Sequence, residues 1–555
     1  KGRRAVDFFW KYCKYDESFF CLYPKSERKP LGGNRVMSLF SKFSRLWNTV
    51  RFLKPVQFYY RFKYSVWKTN SIPVYGLRHV SANNLKFKPF PGLPVLYKNS
   101  TFKFLNIEKE FSEIDWEYPD YGRLWTYNLN YFEFLNQEGM NREEGVRLIK
   151  DFEKSSRHNH TAWEPYPLSL RIINWVRFFI SNKIDNRDFN TSLFSQVTAL
   201  SGKLEYHLLA NHLLENGFAL LFGAYYFNND FFYRKACHIL IPQLREQVLS
   251  DGAHFELSPM YHCIMLGRVL DCYNLVSQNA LFNQELESFL KEKAGMMLGW
   301  LEKIVFKNGD IPLMNDAAFG IALTYRQLKD YAGCLDIYPD IDIQLKESGY
   351  RKFMTEKMEL LADVGSIGPD YQPGHAHADT FNFVLYLNER PIIVDTGTST
   401  YEVNEVRFYE RSTAAHNTVV VAGKNSSEVW GGHRVARRAQ VKITKDSPDW
   451  IIANHSGYDY LGDHHSRSFK RLNDSFIIED CTNGEACAYL HFAPEEEIEL
   501  VGNGIKGKDF RIVFEGAQNI TTDKKWHASE FNKRIQNNVV CIQFDQKLLT
   551  CIQAL

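Results

Sequence analysis

The chain has 555 residues, 45% of them hydrophobic and 24% charged, which is enough for a large core and corresponds to roughly three or four domain-sized units. Its formal net charge of +2 gives no global field for a polyanion and argues against a nucleic-acid partner. No apolar run reaches transmembrane length, and the 10 cysteines form no CxxC pair or regular spacing, so a disulfide framework is not expected and a reducing compartment is mildly favoured.

Residues 1–36 begin Lys1-Gly2-Arg3-Arg4, show no continuous apolar leader, and read as an upstream extension ahead of a more regular segment opening at Met37. Without such a leader the expected setting is the cytoplasm or the cell envelope. Residues 37–115 form a basic helical and irregular segment. A basic, aromatic helix over 38–68 would either rest peripherally on a membrane surface or pack on the body of the protein.

Residues 116–345 carry helical spacing over Glu144–Phe152, Leu168–Ile180, Leu193–Tyr226, Phe231–Leu249, Tyr261–Val276 and Glu285–Val305, with short connections. Consecutive helices on short loops predict stacked hairpins in a bundle or toroid. Residues 346–555 switch to short β-branched runs, at Ile451–Asn454, Ser468–Glu479, Tyr489–Phe492, Ile498–Val501, Arg511–Phe514 and Val539–Phe544. Asn473-Asp474 and Asn483-Gly484 read as turns. Helices followed by strands imply two domains and an α+β class.

The densest chemistry is Gly374-His375-Ala376-His377-Ala378-Asp379, ahead of the apolar run Phe381–Leu387. Were this a strand, His375 and His377 would face one site. Asp395 ends the next apolar run and His416 precedes another, so His377, Asp395 and His416 are candidate ligands of zinc or another divalent ion, with His375 left for chemistry. The alternative is that these are hydrogen-bonded structural residues. In the helical half, Asn211, His212 and Glu215 share one turn with apolar flanks, a costly grouping without partners. Ser258 and Pro259 read as the start of a helix, with Tyr261 in its first turn. Trp125, Asn128, Trp163, Glu164 and Arg171 supply rings, an amide and charges for a sugar and its carboxylate, or for helix packing. Arg434, Arg437 and Arg438 make a basic cluster suited to an acidic polymer or to a solvated face.

Together Asn211-His212, Ser258-Pro259-Met260-Tyr261-His262, His375-Ala376-His377-Ala378-Asp379 and Arg411-Ser412-Thr413-Ala414-Ala415-His416-Asn417-Thr418 resemble the heparinase II/III-like polysaccharide lyases, over about Leu124 to Ala439. The resemblance implies an incomplete (α/α) toroid followed by an antiparallel β-sandwich, with the site between them. It implies that Asn211 and His212 neutralise a uronate carboxylate and that Tyr261 and His375 exchange protons with the substrate. His377, Asp395 and His416 would hold a structural zinc, and Glu215, Arg411 and Arg434 would join the substrate contacts. The Trp163–Arg171 stretch and the basic start near Met37 are more similar to family members that accompany bacterial exopolysaccharide production.

The expected reaction is β-elimination on a uronic-acid polymer, a glycosaminoglycan such as heparan sulfate or a bacterial exopolysaccharide. Positive charge near Tyr261 would lower its pKa if it is the base; with the roles exchanged, His375 is the base and Tyr261 the acid. Two other classes stand beside this. A glycoside hydrolase needs a carboxylate pair, for which Glu215, Glu256 and Asp379 are the candidates. A non-catalytic polysaccharide-binding or assembly factor would need neither.

Overall fold

The computed structural model describes residues 34–66, 82–156, 159–282 and 285–555, with side chains of the first helix from residue 42. Residues 1–33, most of the expected upstream extension, lie outside the described residues. The basic segment forms two helices, α1 (Asn34–Val50) and α2 (Pro55–Val66). The single helix expected over 38–68 breaks ahead of Pro55, whose ring occupies a first-turn position that lacks an N–H. A small antiparallel sheet follows, β1 (Tyr97–Lys98), β2 (Thr101–Phe104) and β3 (Ile107–Glu110).

The helical half contains α3 (Arg123–Tyr131), α4 (Arg142–Ser155), α5 (Pro165–Ser181), α6 (Arg187–Gly202), α7 (Ala210–Phe227), α8 (Asp230–Gln247), α9 (Pro259–Gln278), α10 (Glu285–Ile304) and α11 (Tyr325–Cys334). The continuous helix expected over Leu193–Tyr226 is two helices joined by residues 203–209. Leu209 and Ala210 have positive φ, and the Asn216 side chain accepts from the Glu205 amide, so a local polar contact stabilises the break. Helix α7 is buried almost throughout and lies in the middle of the helical core, as an all-round apolar helix must. Its Gly217 admits α8 closely: a Cβ there would stand 2.8 Å from Leu240. Among the described residues no helix is long and apolar enough to cross a membrane.

The second half begins with a four-stranded antiparallel sheet, β4 (Tyr350–Met354), β5 (Met358–Asp363), β6 (Phe383–Leu387) and β7 (Arg390–Ile393). Its middle strands are buried on both faces. Leu361, Val384 and Tyr386 join the helical core, whereas Leu360, Ala362, Phe383 and Leu385 join a second core. The two-residue period of a strand thus sends alternate side chains to two different cores. After the helix α12 (Glu405–Glu410) come β8 (Val419–Val421) and the β9 (Val429–Trp430)–β10 (Arg434–Val435) ribbon.

The large sheet comprises β11 (Val441–Ser447), β12 (Trp450–His455), β13 (His465–Leu472), β14 (Ser475–His491), β15 (Glu499–Val501), β16 (Gly504–Lys506), β17 (Phe510–Glu530) and β18 (Lys533–Ala554). The order is β11-β12-β13-β14-β18-β17-β16-β15, with β8 also on β14. The run expected over Ser468–Glu479 is two strands meeting at the Asn473-Asp474 turn, as that pair suggests. Asn483-Gly484 is not a turn: β14 runs through it with a register shift between Cys481 and Glu485. Cys487 and Cys541, on neighbouring strands, are joined by a disulfide, a pairing that irregular cysteine spacing did not suggest and that runs against a reducing setting.

Candidate active site

The helical half and the loops of the second half enclose a cleft of about 3110 Å³. That exceeds the roughly 300–1,000 Å³ of a small-molecule pocket and suits an oligomeric ligand. Tyr261 enters it from the first turn of α9, where Ser258 caps the helix by accepting from the Tyr261 amide at 3.3 Å and donates to the Asp316 carbonyl at 2.6 Å. The Tyr261 ring stacks on the His375 imidazole, with centroids 3.8 Å apart. Its hydroxyl is 3.3 Å from that of Tyr401.

His375 and His377 do not lie in a strand; they sit in the loop before β6. Their common element is Asp316. Its Oδ2 is 3.0 Å from His375 Nδ1 and its Oδ1 is 2.9 Å from His377 Nε2. The guanidinium of Arg407, fully buried on α12, takes both oxygens of the same carboxylate. Burial opposes ionisation of Asp316, but Arg407 and then the two histidines hold its carboxyl well below the usual range. With Nδ1–H of His375 donating to this carboxylate, Nε2 carries the lone pair and is 3.3 Å from the Asn211 amide nitrogen. The Asn211 amide also donates to Glu256 at 2.9 Å, and its Oδ1 is buried without a partner.

His212 stands beside Tyr166 and pairs with Glu205 through Nδ1 at 3.1 Å. Burial works against its protonation, but Glu205, with Glu256 and Glu215, raises its pKa. Tyr261 behaves oppositely to the expectation of a lowered pKa. Burial, then the Tyr401 phenol and the carboxylates of Asp316 and Glu256, push it well above its ordinary value. The buried Arg407 guanidinium is committed to Asp316.

The substrate contacts expected from the sequence divide. Asn128, Glu164 and Arg434 line the cleft, as do Asn211, His212, Tyr261 and His375. Glu164 is held by Arg123 and Tyr127, and Arg434 lies over the Trp430 ring. Five others point elsewhere, because the interior already satisfies them. Trp125 is fully buried and donates to the Ile107 carbonyl. Trp163 donates to the Ser156 carbonyl and packs on the helical core. Arg171 is spent on Gln196 and the carbonyls of Asn130 and Ala162. Glu215 is buried against Arg268. Arg411 grips the carbonyls of Ala376, Gly431 and Arg434, bracing the loop between the two histidines from behind. The basic cluster divides as well: Arg438 lines the cleft beside Arg434 and pairs with Asp370, whereas Arg437 lies over Tyr460.

The expected metal trio lies in loops flanking β6, β7 and β8 rather than at strand ends. His416 Nδ1 is 2.7 Å from Asp395 Oδ2, and the His377 and His416 rings are 5.3 Å apart. His377 Nδ1 and His416 Nε2 are buried without hydrogen-bond partners. Among the described residues, Asp316, His375 and His433 also bring donor atoms close together. Arg407 already neutralises that carboxylate, and a second cation beside it would be repelled.

Glu256, Asp316, Tyr401, Arg407 and His433 were not assigned to the site from the sequence, although Glu256 was a candidate for the hydrolase. The available signal was Asn315-Asp316 ending the apolar run Ile311–Met314, since a carboxylate there needs a partner.

Residues 119–344 match the family model described as heparinase II/III N-terminus, and residues 340–554 match heparinase II/III-like, C-terminal. A heparin-sulfate lyase of Bacteroides stercoris is 22% identical over 419 residues, which are 67% of this chain and 61% of that protein. One from Pedobacter heparinus is 21% identical over 428 residues, covering 71% and 62%. The chain thus spans about three-fifths of the length of these relatives. A crystal structure of heparinase III superposes with a TM-score of 0.64 at 17% identity, covering 80% of each chain, and shares the arrangement of a helical region followed by an antiparallel-sheet domain. With both halves of the pattern matched over consecutive residues, this chain belongs to the heparinase II/III-like family.

Proposed function

We propose that this protein is a polysaccharide lyase that cleaves a uronic-acid-containing acidic polysaccharide, a glycosaminoglycan such as heparan sulfate or a bacterial exopolysaccharide, by β-elimination. The observation that carries the reading is the stack of Tyr261 on His375 within reach of Asn211, in a polymer-sized cleft. His375 Nε2 takes the C5 proton, the C4–O bond breaks, and the C4=C5 double bond forms. Tyr261, kept protonated by burial, gives its proton to the departing oxygen. Asn211 and His212 neutralise the carboxylate at C5, the electrostatic contribution that is usually largest.

The three carboxylates named for a hydrolase make no free pair: Glu215 is tied to Arg268 and Glu256 to Asn211, and Asp379 does not line the cleft. We read the helical half as an incomplete (α/α) toroid and the two sheets as a β-sandwich, a reading supported by the core the sheets share. We assign a zinc ion to His377, Asp395 and His416, with His377 Nδ1 and His416 Nε2 as the unpartnered donors and Asp395 Oδ2 engaged by His416 Nδ1. The orphaned His377 Nδ1 and His416 Nε2 support this, as does the Asp316 carboxylate that orients His377 from behind. Such an ion would brace the loops that carry His375; the proton transfers belong to the chain's own residues.

The test is a screen of purified protein on heparan sulfate, chondroitin, hyaluronan, alginate and bacterial exopolysaccharides. A lyase generates an unsaturated uronate with new ultraviolet absorbance. Chain cleavage without that absorbance would assign a hydrolase, and binding without cleavage would leave the assembly-factor reading.

A further inference from the structure

The α1–α2 hairpin precedes residue 119, where the matched family region begins, yet it forms part of the cleft. It bridges the two walls. From α1 and the residues after it, Arg45 pairs with Glu428 at 2.7 Å, Thr49 accepts from Trp430 at 3.1 Å, and Phe52 lies 3.8 Å below the Arg438 guanidinium. From α2, Gln57 donates to the Leu208 carbonyl at 3.1 Å, Tyr64 donates to that of Leu204 at 2.6 Å, and Tyr60 stacks on Tyr206. These α2 contacts all fall on residues 203–209, which lead into Asn211 and His212.

The bridging face is chemically one-sided. Residues 42–66 hold six Lys and Arg and no Asp or Glu. Arg45 and Lys54 are engaged by Glu428 and Glu246, and Lys42 lines the cleft. Large rings stand in water there: Phe43 is 67% exposed, Trp47 57% and Phe58 44%. Exposed rings beside cations, continuous with a cleft for an acidic chain, match a sugar polymer in both respects. Apolar sugar faces stack on rings, and carboxylates or sulfates meet ammonium and guanidinium groups.

We propose that Lys42, Phe43, Trp47, Phe58 and Trp430 form a distal subsite that stacks and neutralises units of an anionic polysaccharide lying beyond the bond to be cleaved. The inference rests on the acidic-polysaccharide reading of the cleft. A short oligosaccharide confined to the Tyr261–His375 region would not reach it, so the subsite sets a preference for long chains.

The test is calorimetric binding of heparan sulfate, with alginate as a second probe, to wild-type protein and to the Trp47→Ala/Phe58→Ala double variant. Both side chains are exposed, and an unchanged melting temperature establishes the fold. Affinity for the polymer bound by wild type should fall about tenfold, the loss of two stacking contacts. Lys42→Gln should flatten the salt dependence of the same binding. Unchanged polymer affinity in the double variant overturns the subsite, as does wild-type protein that binds neither polymer. If the variant instead loses binding only to vesicles of phosphatidylcholine and phosphatidylserine, the face is a membrane contact and the proposal is wrong. Turnover is read separately on wild type: polymer binding through this face without an unsaturated product would refute the lyase reading and leave the subsite standing.

Discussion

Tyr261 and His375 lie face to face, their ring centroids 3.8 Å apart and their planes inclined by 27°. The two walls of the cleft, the helical half and the loops of the second half, thus meet at this stack. The phenol is set by a capped helix and the imidazole by a buried carboxylate, and Ser258, the cap, bonds to the same Asp316.

Tyr261→Phe should remove turnover while leaving fold and polymer binding near wild type. It deletes one hydroxyl and keeps the ring that stacks on His375. The rate should fall by about 10²–10⁴-fold or more, the usual contribution of a general acid or base. Initial rates by ultraviolet absorbance, beside a melting curve, check it; near-normal turnover would remove Tyr261 from the mechanism.

Asp316→Asn should damage both stability and activity. The Arg407 guanidinium is fully buried and would lose its counter-charge, which costs about 3–5 kcal/mol when one partner of a buried pair is removed. Urea denaturation measures this. Asp316→Asn/Arg407→Gln should recover part of the loss, because the stranded charge is gone, but not the activity, because His375 still lacks its anionic partner. A double variant destabilised by the full sum of the Asp316→Asn and Arg407→Gln effects would show that the pair is not coupled.

Metal content should separate the two neighbouring histidines. Protein prepared without chelator is expected to carry about one equivalent of zinc or another divalent ion. His377→Ala should lose it and melt earlier, whereas His375→Ala should keep it and lose only turnover. Elemental analysis of the three proteins decides. A metal-free wild type that is fully folded would end the metal assignment.

Acid should destabilise the fold through histidines that burial keeps neutral. His262 accepts from the His254 amide through Nδ1 and donates from Nε2 to the Met297 carbonyl, and its pKa is lowered to about 3 chiefly by burial. Because the folded value lies below the unfolded one of about 6.5, the unfolded chain binds the extra proton between them. The contribution is thus complete above about pH 6.5 and is lost progressively as pH falls through the folded value, by roughly 1.4 kcal/mol per pH unit. His455, hydrogen-bonded to His465 and through it to Asp480, has a lowered pKa for the same reason and adds in the same direction. Melting temperatures across this range should show the slope, and His262→Gln should be less stable overall with a flatter pH dependence. An identical slope would exclude His262 as a contributor.

Added salt should weaken polymer binding and raise KM more than it lowers kcat. The attraction for an acidic chain is partly that of cations at the cleft wall, which salt screens over about 8–10 Å, while the buried Asp316 network is shielded from it. A neutral glucan cleaved as well as a uronate polymer would exclude the acidic-substrate reading.

The order of the chain was legible because local periodicity carries it. Apolar spacing marked α5, α8 and α9, the Ser258-Pro259 pair marked the start of α9, and Asn473-Asp474 marked a turn. These are short-range matters of capping, φ preference and face, and the residues that decide them are neighbours in sequence. His375 and His377 were visible by their spacing, but what makes them different is Asp316, about sixty residues earlier, whose two oxygens each take one histidine. Arg407, which keeps that carboxylate charged, comes from a helix still further on. Trp125, Arg171 and Arg411 have the chemistry of sugar contacts, and burial alone assigned them to the interior. Residue type and spacing can nominate a group for a site. Whether it faces water, a carbonyl or a counter-charge depends on which distant segment packs against it, and that follows from the long-range burial of apolar surface.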